Sequence, residues 1–280
     1  MSMGKRKIAR AVLAGLLCAA AFPALSAAPA IPNLAPNDGT GWVPDRLAGD
    51  DFLPPEKGPG PVVSVKDHPY VPNNVGQSTF RVADLSNPIL MPWAVEQMRK
   101  VNEAVLAGKI PFTARERCWP GGVPDIDIYE RDRPIFFVQT PKEVVIMTEH
   151  DSQIRHIYLN VPHSVHPALS WYGESVGHYE GDTLVVDTIG LNDRTFVDNY
   201  RTPHTDKIHT VERFKLIEGG KILQATVTVE DPGAFTMPWT GVQRWQRIDR
   251  ELVENLCEET NVGFLGYEVV PIPLANKPDF

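Results

Sequence analysis

No run of about 18 apolar residues occurs beyond the first thirty positions, so no transmembrane helix is expected. Positive charge is also in short supply. Lys and Arg number 27 against 35 Asp and Glu, a formal net charge of −8, which disfavours binding to nucleic acid or to an anionic membrane. No glycine-rich phosphate loop opens a helix and there is no dinucleotide fingerprint, so no cofactor is expected. The string Gly173-Glu174-Ser175-Val176-Gly177 stands where the pattern reads as a strand entering a hairpin. It is not the strand-to-helix elbow of a serine hydrolase. Internal repeats and long charge runs are missing too. Cysteine is scarce, with Cys18 near the start and only Cys118 and Cys257 beyond it.

What is present begins with Lys5, Arg6, Lys7 and Arg10, an apolar run from Ala11 to about Phe22, and small residues at Ser26, Ala27 and Ala28. This is the pattern of a signal peptide over residues 1–28, which directs the protein to a periplasmic or secreted location. Loss of those four basic residues makes the mature chain more acidic still. In such a compartment Cys118 and Cys257 are expected to form a disulfide. Closing so long a loop stabilises a fold by about 5 kcal/mol in the chain-entropy model.

Residues 29–85 are rich in Pro, Gly, Asn and Asp and read as an extended arm, with Trp42, Phe52 and Leu53 available to pin it. Within 86–110, Ala94, Met98, Val101 and Val105 recur at helical spacing, Pro92 suits a first turn and Gly108 a stop. From 111 to 280 the pattern is of strands, near 134–140, 143–149, 154–160, 183–189, 208–217, 221–230 and 239–249, ending in an extended tail. Pro141-Lys142, Asp151-Ser152 and Glu218-Gly219-Gly220 suit hairpins. The expected fold is mainly β: an antiparallel meander that closes into a small barrel and so covers its own edges, with one helix packed outside.

Several stretches carry a resemblance: "CWPGGVPDI", "IRHIYLN", "HPALSWYGESVGHYEGDTLVVDTIGLNDRT", "PHTDKIHTVERF" and "TVEDPGAFTMPW". Together, from Met91 to Asn261, they resemble an uncharacterised family of secreted bacterial proteins with a Gly-His-Ser-x-Gly-x-Trp-Glu-Gly-Asp-Thr-Leu-Val-Val-Asp-Thr core. The resemblance implies a lipocalin-like or related barrel. Glu174 stands where that core has His, and Tyr179 where it has Trp.

Candidate chemistry gathers at strand ends. His204 and His209 flank a turn before a strand and are expected to serve as acid and base, because imidazole titrates near neutrality. Arg155 shares a strand face with Ile157 and Leu159, so it needs a carboxylate partner, for which Glu149 and Asp187 are the candidates. Asp187, on one face with Val185 and Ile189, needs a partner in turn: Arg155, His204 or His209. The neighbouring acids Glu180, Asp182 and Asp193 read as turn residues. Arg155 or Tyr158 is expected to stabilise developing negative charge, with Tyr158 and His156 on the opposite face of the Arg155 strand. The spacings His163-x-x-His166 and His204-x4-His209-x2-Glu212 invite zinc but match no geometry that can be justified, so no metal is assigned. Trp171, Tyr172, Phe196 and Trp239, with His156 and His166, are candidates for lining a pocket.

These features point to an exported, cofactor-independent enzyme of lyase, isomerase or hydrolase type. It would act by His and carboxylate acid–base chemistry on a hydrophobic, aromatic or isoprenoid small molecule in a barrel pocket. The alternatives are a non-catalytic carrier of an apolar ligand and a metal-dependent hydrolase.

Overall fold

A computed structural model describes residues 30–35, 40–45, 49–69, 81–109, 118–128, 134–149 and 154–254. The expected signal peptide, Cys257, the Asp151-Ser152 turn and the C-terminal tail from residue 255 lie outside them. Nine strands close into a barrel: β1 (Thr40–Pro44), β2 (Ile135–Gln139), β3 (Glu143–Thr148), β4 (Ile154–Leu159), β5 (Glu174–Glu180), β6 (Thr183–Ile189), β7 (His209–Ile217), β8 (Ile222–Glu230) and β9 (Trp239–Asp249). One α-helix, α1 (Pro92–Leu106), accompanies them among the described residues, and no helix there is long and apolar enough to cross a membrane.

Period-two burial runs through the walls. β4 alternates exposed and buried at every residue, and β8 buries Leu223, Ala225, Val227 and Val229 completely. Inside, Phe137 meets Phe214 edge-on and Phe214 stacks on Trp245, an aromatic cluster within the buried core. Residues 30–35 are bonded to the barrel wall at Gln139, next to the β2–β3 hairpin, and at Trp42. There the Gln139 side chain accepts from the Leu34 N–H and donates to the Pro32 carbonyl, and the Trp42 indole donates to the Leu34 carbonyl.

The expected antiparallel meander is broken once. β4 and β5 pair in parallel, because the connection 160–173 carries the chain back along the wall before β5 starts. A second departure lies in the stretch read as an arm. Thr40–Pro44 pairs with β9 and touches β2, and is the strand that closes the barrel. Where β1 leaves off, Leu53 pairs with Val242, and Phe52 packs on Trp239 at 6.0 Å.

On α1 the buried stripe is Ala94, Met98, Asn102 and Val105, so Asn102 takes the inward place expected of Val101. Its amide accepts from the Ala83 N–H and donates to the Ala83 carbonyl, both at 2.9 Å, which satisfies a buried polar group and pins the preceding segment.

Candidate functional site

The rim opposite the tight hairpins carries the long connections 160–173, 190–208 and 231–238, and two polar clusters lie near it, on opposite faces of one wall. Parity assigns each residue. On β6, Leu184, Val186 and Thr188 point inward, which leaves Asp187 on the outer face between its cross-strand neighbours Val176 and Val211.

On that outer face Asp187 Oδ1 lies 2.9 Å from His163 Nε2 and 3.0 Å from His209 Nε2. Glu174, at the head of β5, approaches the other side of His163, with Oε1 3.0 Å from Nδ1. Glu174 also accepts from the Ser164 hydroxyl and the Ser164 N–H. These bonds, followed by the contact with His163, hold its carboxyl below the usual range. All four principal side chains keep partial access to solvent, from 22 % for His163 to 40 % for Asp187.

Backbone geometry brings these groups together. Gly173 adopts a positive φ, and a Cβ there would lie 2.3 Å from the Ile189 carbonyl oxygen, so β5 can begin against β6 only with glycine at this point. Gly190 likewise sits beneath Pro167, which lays the connection 160–173 over the end of β6 and delivers His163 to Asp187.

Such an arrangement can move a proton. With Nε2–H donated to Asp187, His209 presents Nδ1 as the basic atom, and the nearest carboxylate to that atom, Glu230, is 3.9 Å away. Both ring nitrogens of His163 face carboxylates, so this ring fixes Asp187 from the far side. The pairing of Asp187 with His209 expected from the sequence is present. His163 and Glu174, which complete the cluster, were not among the assigned site residues. The sequence marks His163 only through its spacing to His166, and Glu174 only as the residue standing where the resembled core has His.

The second cluster is inside the barrel and fully buried. The Arg155 Nη1 donates to Glu212 Oε1 at 2.8 Å and its Nη2 to Glu212 Oε2, while Thr188 and Ser175 hydroxyls accept from the same guanidinium. The expectation that Arg155 pairs with Glu149 or Asp187 is therefore corrected. Asp187 faces the other way, and Glu149 accepts from Arg250 at 2.7 Å. Segment 118–128 inserts Asp127 against this pair. Burial, then the charge of Glu212, raise the Asp127 pKa well above its ordinary value, with Arg155 opposing. Burial would by itself lower the Arg155 pKa, but Glu212, Asp127 and Tyr172 raise it above its ordinary value.

The remaining candidates are dispersed. His204 is buried, with Nε2 3.0 Å from the Thr195 hydroxyl and Nδ1 3.0 Å from the Thr205 carbonyl, and burial lowers its pKa. Both nitrogens are engaged in holding a loop. His156 and Tyr158 stack on each other on the exposed face of β4. His166 is exposed, Tyr172 lies near Arg155, Phe196 pairs through its backbone with Pro203, and Trp239 packs between Phe52 and Phe235 in the core. Among the described residues no group of three His, Cys, Asp or Glu side chains is arranged to hold a metal ion. No protein-family model matches this chain, and no curated protein is significantly similar to it.

Proposed function

We propose that the protein is a periplasmic or secreted, cofactor-independent enzyme whose general base is His209, acting on a hydrophobic small molecule at the outer wall of the barrel. The observation that carries this reading is the position of Asp187 Oδ1 between the Nε2 atoms of His163 and His209, at 2.9 and 3.0 Å. A carboxylate so placed selects the His209 tautomer whose Nδ1 accepts a proton, and stabilises the imidazolium that results. The reaction class is elimination, isomerisation or hydrolysis, each of which begins with proton removal from carbon or from water. Arg155 and Glu212 have side chains with no solvent exposure, which favours the outer wall over the interior for chemistry. Exposed Val161, Val165 and Leu169 on the connection that carries His163 favour an apolar substrate. A lipocalin-like descent, suggested by the motif from Glu174 to Thr188, belongs to the same proposal.

The test is to incubate the mature chain with a panel of aromatic and terpenoid compounds and follow mass changes. Turnover should fall by about 10²- to 10⁴-fold in His209→Asn, the range associated with a positioned base. Unchanged turnover in that variant sinks the proposal.

A further inference from the structure

Backbone register sets His209 against Glu230. His209 opens β7, Glu230 closes β8, and the two are direct partners in the antiparallel ladder. The segments just outside the pair are tied as well. Asp231, the residue after Glu230, accepts from the Thr205 N–H and, at 2.8 Å, from the Thr205 hydroxyl, and a Cβ on Gly233 would lie 2.6 Å from the Thr205 methyl. Main chain on both sides therefore fixes the spacing of the two side chains, which are 36 % and 59 % exposed.

Two acceptors meet at this spacing. With Nε2–H given to Asp187, His209 presents a lone pair at Nδ1, and Glu230 Oε2 stands 3.9 Å from it. No other side chain among the described residues engages the Glu230 carboxylate. The separation is too long for a hydrogen bond and suits one intervening atom, since an oxygen about 2.8 Å from both subtends about 90°. Such an atom must donate twice. Of the protons that the acid–base reading lets His209 remove, those on carbon and those on water, only water's meet this requirement, because a C–H is a weak donor.

Resting on the reading of His209 as the general base, we propose that Glu230 positions the water that His209 activates, and that the site hydrolyses a neutral carboxylic ester or lactone. The water donates one hydrogen to Nδ1 and one to Oε2, which leaves a lone pair of its oxygen directed away from both. As that lone pair forms the bond to the carbonyl carbon, the O–H bond facing Nδ1 breaks, its proton passes to the imidazole, and Asp187 stabilises the imidazolium. Collapse of the tetrahedral intermediate then breaks the bond to the alcohol oxygen, which takes the same proton and leaves. Glu230 keeps its charge throughout. Neutrality of the substrate follows from the surroundings. Glu174, Asp187 and Glu230 place three carboxylates around two imidazoles, no Lys or Arg is bonded to any of them among the described residues, and such a field repels phosphate and sulfate esters.

The experiment is incubation of the full mature chain with 1-naphthyl acetate and with dihydrocoumarin in heavy-oxygen water, for the native protein and for Glu230→Ala, Glu230→Gln and His209→Asn. The expected result is one heavy oxygen in the acetate and none in the naphthol, with kcat about 10- to 100-fold lower in Glu230→Ala at unchanged KM, the loss that misplacement of a reacting atom brings. Glu230→Gln, whose amide oxygen still accepts from water, should fall between native and Glu230→Ala. Failure of the native chain to hydrolyse either probe, or equal kcat in Glu230→Ala, overturns the inference. In the second case loss of turnover in His209→Asn still supports the base. Products of the wider compound panel that depend on His209 yet carry no heavy oxygen would keep the base and remove the water. Hydrolysis that depends on Glu230 but is complete in His209→Asn would remove the base, and this role for Glu230 with it.

Discussion

Asp187 and Arg155 make opposite demands on their surroundings although the strand residues facing each are one position apart. Asp187 points out of the wall, where partial solvation lets one carboxylate serve two histidines. Arg155 points in beside Thr188, where every donor needs a fixed partner, and Glu212 takes two of them. The need of each for a partner was legible in the sequence from strand alternation alone. Which partner was not, because a period-two pattern assigns a face without saying which face is the inside. Glu212 was visible only as part of a histidine spacing, and Asp127 gave no signal, since it reaches Glu212 from a segment far away along the chain. The interior cluster predicts a stability effect without a catalytic one. Arg155→Met should lower stability by about 3–5 kcal/mol, because it leaves Glu212 charged and buried beside Asp127. Arg155→Met combined with Glu212→Gln should recover most of that loss, as read by urea denaturation. Equal stability of the single and double variants would contradict this account of the pair.

At the scale of elements, the connection 160–173 decides both topology and site. By returning the chain along the wall it makes β4 and β5 parallel, and in the same passage it supplies His163, Ser164 and Trp171. The seven strands expected from apolar alternation are present within a residue or two, and β5 is the strand expected to enter the hairpin at Gly181. β1 was concealed by composition. A five-residue strand flanked by Pro, Gly and Asp has no periodic signal of its own, and it is a strand because β9 offers an edge for it. The junction into β5 predicts a linked effect on fold and function. Gly173→Ala meets both a positive φ and a carbonyl oxygen 2.3 Å from the new Cβ. It should destabilise the protein by roughly 1–2 kcal/mol or more from backbone strain alone. It should also reduce turnover, since Glu174 and His163 shift with β5. Gly219→Ala, also at positive φ but in open space at a hairpin tip, should cost less stability and leave turnover unchanged. Comparing the two by thermal unfolding and by rate separates strain at the site from strain in general.

At the scale of the whole molecule, what joins the chain preceding the helix to the barrel is a buried charged clasp. Arg81 lies 2.9 Å from Asp50 and 3.0 Å from Asp51, the Tyr200 hydroxyl donates to Asp51 at 2.8 Å, and Ser64 reaches the same hydroxyl at 3.0 Å. Burial raises the Asp51 pKa from 3.8 to about 7, with Arg81 and the Tyr200 bond opposing and Asp198 and Asp50 adding to the rise. Burial also raises the pKa values of Asp198 and Tyr200. Between about pH 4 and pH 7 the unfolded chain carries Asp51 ionised while the folded protein keeps its proton. The native state therefore binds more protons, and this group's contribution to stability falls as pH rises through that window and levels off above it. Asp51→Asn keeps the shape of the protonated side chain and removes the titration. The difference in melting temperature between native protein and Asp51→Asn should thus change between pH 4 and pH 7 in the direction that favours the native protein at the acid end, and stay constant above about pH 8. A difference that is flat from pH 4 to pH 8 would mean that Asp51 is ionised throughout, held by Arg81 as an ordinary ion pair.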